Sequence, residues 1–151
     1  PNVFIIPPES KASTYAAMLQ CNAVIIYGTK TGVELTAMGI PVIVAGEAWI
    51  RNKGLTTDVE SERAYFEILD KLPLPARLGP EVIRRARQYA FHFFFRRMIP
   101  IGFTRIEPGA PGFDFDVADI SALAPGRDRG LDVICDGILR DIPFVYPAEE
   151  V

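Results

Sequence analysis

Short, wholly apolar runs alternate with amphipathic stretches through the first half of the chain. Val3 to Ile6, Ala23 to Tyr27 and Val42 to Ala45 are strand-sized and rich in β-branched residues, the signature of parallel strands buried on both faces. Between the first two, Ser13 is placed to cap a helix running through Tyr15, Ala16, Met18 and Leu19, because a serine oxygen can accept a free amide of the first turn. Between the second and third, Gly28 to Gly32 predicts a turn, and a helix follows through Val33, Glu34, Leu35 and Met38 until Gly39 stops it. Pro41 then stands where a strand can begin. The order is β-α-β-α-β, and right-handed crossovers would set the strands in one parallel sheet. Ligands of such sheets bind in the crevice beyond the carboxyl ends of the strands, here the loops Pro7 to Ala12, Gly28 to Gly32 and Gly46 to Asp58.

The pattern then becomes helical. Glu62 to Leu72 reads as a helix broken by Pro73 and Pro75, and Pro80 starts a long helix that ends before Pro100. A Gly- and Pro-rich stretch from Pro108 to Pro125 reads as a surface loop with one helical turn, and Gly130 to Arg140 as a last helix. The expected fold class is α/β, a small parallel sheet with helices on both faces and a helical C-terminal extension. Residues 1–60 would form the βαβαβ core and 61–151 the mainly helical part of a single domain.

With 151 residues, 49% of them hydrophobic, the chain can bury one good core but hardly two. Its opening at Pro1, without methionine and directly before an apolar run, suggests a fragment of a larger two-domain protein. A formal net charge of −3 argues against a nucleic-acid partner, since such partners are held largely through basic surfaces. Two cysteines and one histidine, Cys21, Cys135 and His92, make neither a disulfide framework nor an ordinary zinc site. The expected compartment is therefore reducing and cytoplasmic. No apolar run is long enough to span a bilayer.

The segment richest in candidate chemistry is Tyr27-Gly28-Thr29-Lys30-Thr31-Gly32-Val33-Glu34, a strand exit, a glycine-bounded turn and a helix start. Glycines let a backbone approach an anion, and free amides at a helix start favour negative charge. The spacing is neither that of the Walker loop nor G-x-G-x-x-G, so it describes a generic phosphate cradle or, equally, glycines that serve only tight strand–helix packing. Glu34 can accept the hydroxyls of a ribose, or simply favour the first turn of its helix.

Taken in order, Ser13-Thr14, Cys21 to Ile25, Thr29 to Glu34, Gly39 to Ile43 and Lys53 to Asp58 resemble the C-terminal half of capsule polysaccharide biosynthesis proteins. Tyr89 to Arg97, an aromatic run before two arginines, adds to the likeness. That family resembles GT-B glycosyltransferases, whose two Rossmann-like domains face each other and whose C-terminal one binds the activated donor. The resemblance implies a nucleotide-sugar substrate and an acceptor-binding N-terminal partner domain. It implies no metal and no other cofactor. The substrate-binding residues it implies are Thr14, Gly28, Thr29, Thr31, Gly32, Glu34, Lys53 and Gly54, with phosphate at the glycine turn, ribose at Glu34, and Lys53 with Gly54 closing over the donor.

No catalytic base emerges. His92 falls on a polar stripe with Glu81, Arg85, Gln88 and Arg96, opposite Tyr89, Phe93 and Phe94. Asp114-Phe115-Asp116 has the form of a metal-holding triplet, yet Asp116 is also placed to cap a turn of helix beginning at Val117. Phe91 and Phe95 widen the aromatic face of the long helix, which suits docking of a partner domain or, second, peripheral association with an anionic membrane. Two rival functions share the pattern, a nonhydrolysing nucleotide-sugar epimerase and a noncatalytic interaction module.

Overall fold

The computed structural model describes residues 3–107, 109 and 111–150, and the chain divides into two compact units, Pro1–Ala90 and Phe91–Val151. In the first unit, helix α1 (Thr14–Gln20) precedes strand β1 (Val24–Ile26), helix α2 (Thr31–Ala37), strand β2 (Val42–Val44) and strand β3 (Thr57–Asp58). Helices α3 (Glu62–Leu69) and α4 (Pro80–Phe91) follow. The three strands form one parallel sheet in the order β1-β2-β3, with Val24 opposite Val42 and Ile43 opposite Thr57.

The β-branched runs make the centre of this unit. Every residue of β2 is buried, and Val33 and Leu35 from α2, with Ile40 and Ile50, close over the sheet at 0–1% exposure. Burying each such side chain contributes about 1.5–3 kcal/mol. Helix α2 ends where glycine was expected to end it: Gly39 has φ +87°, its amide donates to Thr36 O, and the Ile40 amide donates to Leu35 O. This paired closure satisfies two last-turn carbonyls, and its left-handed residue carries no Cβ penalty. Ser13 caps α1 by accepting from the Ala16 amide, as expected, and Ser61 caps α3 by accepting from Ala64.

Four expectations need correction here. Val3 to Ile6 is not a strand; these residues are 60–90% exposed and carry no ladder pairing, since apolar β-branched character without paired backbone does not make a strand. Consequently Pro7 to Ala12 does not follow a strand, and it makes a turn closed by Ser10 N–H to Pro7 O. The expected turn from Gly28 to Gly32 is shorter than its span, since α2 starts at Thr31 and already contains Gly32. Finally, β3 lies inside the span read as loop. Its two residues are too few and too polar to show a period, and the pairing to the buried β2 makes them a strand.

In the second unit the long helix changes pitch: α4 passes at Phe91 into a π-helical turn, His92–Arg97, which replaces the uniform α-helix expected up to Pro100. A wider turn there lets Phe93 be buried while Phe91 and Phe95 stack outside with ring centroids 5.4 Å apart. Strands β4 (Thr104–Arg105) and β5 (Asp114–Phe115) pair antiparallel within and beside the stretch read as loop. Asp116 does not cap a helix. It pairs with Arg105, and Asp119 caps the 3-10 turn Ile120–Leu123 through the Ser121 amide. The last helix, α5 (Arg129–Arg140), is capped by Asp128 and packs its start so closely on the preceding segment that a Cβ at Gly130 would meet Pro100 O at 1.7 Å.

Candidate functional site

The carboxyl ends of all three parallel strands open on one cavity of about 360 Å³. Tyr27 follows β1, Ala45 follows β2 and Val59 follows β3, and all three line it together with Glu60, Ser61, Glu62 and Tyr65. The loops expected to form the crevice, Pro7 to Ala12, Gly28 to Gly32 and Gly46 to Asp58, contribute none of these lining residues, which are instead the residues directly after β1, β2 and β3 and the start of α3; none of the expected site residues is among them.

A side chain that the sequence reading passed over ties together the strand exits behind these lining residues. Arg51, only 15% exposed in its side chain, donates from Nη1 to Val44 O at 3.3 Å and Gly46 O at 3.1 Å, and from Nη2 to Val59 O at 2.7 Å. It also faces Glu47 at 3.7 Å. One planar guanidinium thus gathers the carbonyls that leave β2 and β3, a geometry suited to its rigid fork of donors. The only sequence signal was an arginine beside the buried Ile50, and that is too common to single out. Asp58 steadies the preceding loop by accepting from the Asn52 amide at 2.7 Å and the Thr56 hydroxyl at 2.6 Å.

Tyr27 is 78% exposed, yet its position is defined. A Cβ at Gly46 would lie 2.5–2.8 Å from three atoms of its ring, so the ring rests on the bare glycine backbone at the cavity mouth. Gly28 is equally confined, since a Cβ there would meet Glu47 O at 3.0 Å.

The other expected site residues fall into two groups. Thr29, Thr31 and Glu34 come together at the start of α2. The Thr29 and Thr31 hydroxyls lie 3.0 Å apart, and Thr29 Oγ1 accepts the Thr31 amide at 3.3 Å. Glu34 accepts a hydrogen bond from the hydroxyl of Tyr15 on α1. That carboxylate holds the phenol pKa above its usual value, with desolvation adding to the effect and the Thr31 hydroxyl opposing it. Thr14 is exposed at the head of α1, and it is its neighbour Tyr15 that reaches Glu34. Gly32 packs. It is buried, and a Cβ on it would meet Ile26 Cδ1 at 2.4 Å and Ile50 Cγ2 at 3.3 Å.

Lys53 and Gly54 lie on the loop between β2 and β3, held toward α4. The Lys53 carbonyl accepts from Arg85 Nη2 at 3.4 Å, and Gly54 has φ +65°. His92 belongs to the π-helical turn of the second unit. No group of three or more His, Cys, Asp or Glu residues able to hold a metal occurs among the described residues, and no helix among them is long and apolar enough to cross a membrane. Comparison with protein-family models, with curated proteins and with solved structures yields no match.

Proposed function

We propose that this chain is the nucleotide-sugar-binding part of a Rossmann-like glycosyltransferase of the capsule polysaccharide type, acting with an acceptor-binding domain outside it. The observation that carries the reading is the cavity at the carboxyl ends of three adjacent parallel strands, where open α/β sheets bind their ligands. The resemblance of Ser13 to Asp58 to that family adds the expectation of a nucleotide donor. In this reading Thr29, Thr31 and Glu34, with Gly28 behind them, contact the nucleotide, and Glu34 exchanges its bond with Tyr15 for a ribose hydroxyl. Lys53 and Gly54 close on the donor from the β2–β3 loop. Oriented donors stabilise the leaving phosphate, a role that needs no metal.

Calorimetric titration with UDP, CMP and GDP tests this directly. Glu34→Gln and Tyr27→Ala are the informative variants, both altering side chains outside the core, whereas enlarging Gly32 would disturb packing first. Binding of one nucleotide, weakened about tenfold by Glu34→Gln, is expected of a charge-assisted contact. Failure of all three nucleotides to bind would overturn the reading. A second reading, a noncatalytic interaction module, draws on the stacked Phe91 and Phe95, which are 42% and 59% exposed. Its signature would be a concentration-dependent mass without nucleotide affinity.

A further inference from the structure

The walls of the strand-end cavity carry a selective chemistry. Tyr27 and Tyr65 bring two aromatic rings, Glu60 and Glu62 two carboxylates, and Ser61 a hydroxyl. No lysine, arginine or histidine is among the lining residues. The neighbouring guanidinium of Arg51 is directed into the carbonyls of Val44, Gly46 and Val59 and toward Glu47, and Arg63 on α3 is paired with Glu67 at 2.8 Å. The Ser61 oxygen accepts from the Ala64 amide, which leaves its hydroxyl hydrogen to donate.

Each of these groups has a counterpart in a sugar ring. The ring of Tyr27 rests on Gly46 and is otherwise exposed, offering an apolar surface for the C–H face of a pyranose. Carboxylates accept hydroxyl or ammonium hydrogens strongly, and they oppose a further carboxylate brought beside them. From this arrangement we infer that the cavity takes the sugar moiety of the donor and selects an uncharged or amino sugar against an acidic one. The inference rests on the nucleotide-sugar reading above and adds the class of sugar to it.

The experiment compares donors that differ only in sugar charge. UDP-glucose is titrated against UDP-glucuronate, and GDP-mannose against GDP-mannuronate, into the intact chain and into a Glu60→Gln/Glu62→Gln double variant checked for native circular dichroism. The neutral member of the pair that binds should do so at least about tenfold more tightly, the scale of one unfavourable like-charge contact. In the double variant the gap should shrink to within about threefold because the acidic donor gains affinity. Equal affinities in the unaltered chain, or a gap unchanged by the double variant, would overturn the inference while leaving nucleotide binding intact. If no nucleotide sugar and no free nucleotide binds, the nucleotide-sugar reading itself falls and the inference with it.

Discussion

Tyr15 and Glu34 are nineteen residues apart and meet through one hydrogen bond, so each reports on the other. Because the Glu34 carboxylate raises the phenol pKa, the folded chain holds that proton more tightly than the unfolded chain does. The resulting stabilisation is complete below the ordinary phenol value of about 10 and is lost as pH rises through the raised one. Spectrophotometric titration of tyrosinate should therefore show Tyr15 ionising late, alongside Tyr89, which burial also raises, and Glu34→Gln should shift only the Tyr15 step to lower pH. An unchanged profile would mean that the two side chains do not pair. Arg51 sets a different kind of constraint. Replacing it by methionine keeps much of the buried stem but leaves the carbonyls of Val44, Gly46 and Val59 without their charged donor. Loss of about 2–3 kcal/mol in urea denaturation is expected, and a loss below about 0.5 kcal/mol would show that water replaces the guanidinium readily.

Among the elements, α2 shows how local chemistry and packing divide the labour. Its end was legible because Gly39 carries a left-handed φ that any Cβ opposes, and Pro41 stands just beyond. Gly39→Ala should cost about 1–2 kcal/mol, somewhat more if Ile83 Cδ1, 3.0 Å from the added atom, does not yield. A change within error would show that the backbone relaxes out of the left-handed region. The start of α2 was less legible, because two glycines flanking a polar tripeptide describe either a phosphate cradle or a packing point. Contacts to Ile26 and Ile50 make Gly32 a packing glycine, and that distinction depends on side chains from β1 and from the β2–β3 loop. Strand β3 was illegible for a related reason. Thr57 and Asp58 have no strand-like pattern of their own, and only the neighbouring β2 gives them one.

For the molecule as a whole, burial is concentrated around β2. Apart from Ala86 and Phe93, the buried apolar side chains among the described residues lie between Ile26 and Val59, whereas Val3 to Ile6 and much of the second unit's apolar surface are exposed, including Ile106, Phe113, Phe115, Ile138 and Leu139. Native-state hydrogen exchange should follow this distribution. The amides of Ile43, Val44 and Ala45 are expected among the slowest and those of Val3 to Ile6 among the fastest, since opening free energy tracks buried contacts and hydrogen-bonded backbone. Comparable protection in Val3 to Ile6 would contradict the exposed placement of that segment.

Composition and periodicity by themselves determined that this is a mixed α/β chain, that β-branched runs at Val24 and Val42 are parallel strands, and that serine and glycine bound its short helices. These are local matters, settled by which backbone conformations and caps each residue favours. Tertiary structure alone decided that Val3 to Ile6 stands outside the sheet, that Thr57 and Asp58 join it, that Arg51 meets the carbonyls of Val44, Gly46 and Val59, and that Tyr15 reaches Glu34. A strand needs a partner for its ladder bonds, and an arginine or tyrosine acquires its role from the carbonyls and carboxylates that folding brings within reach.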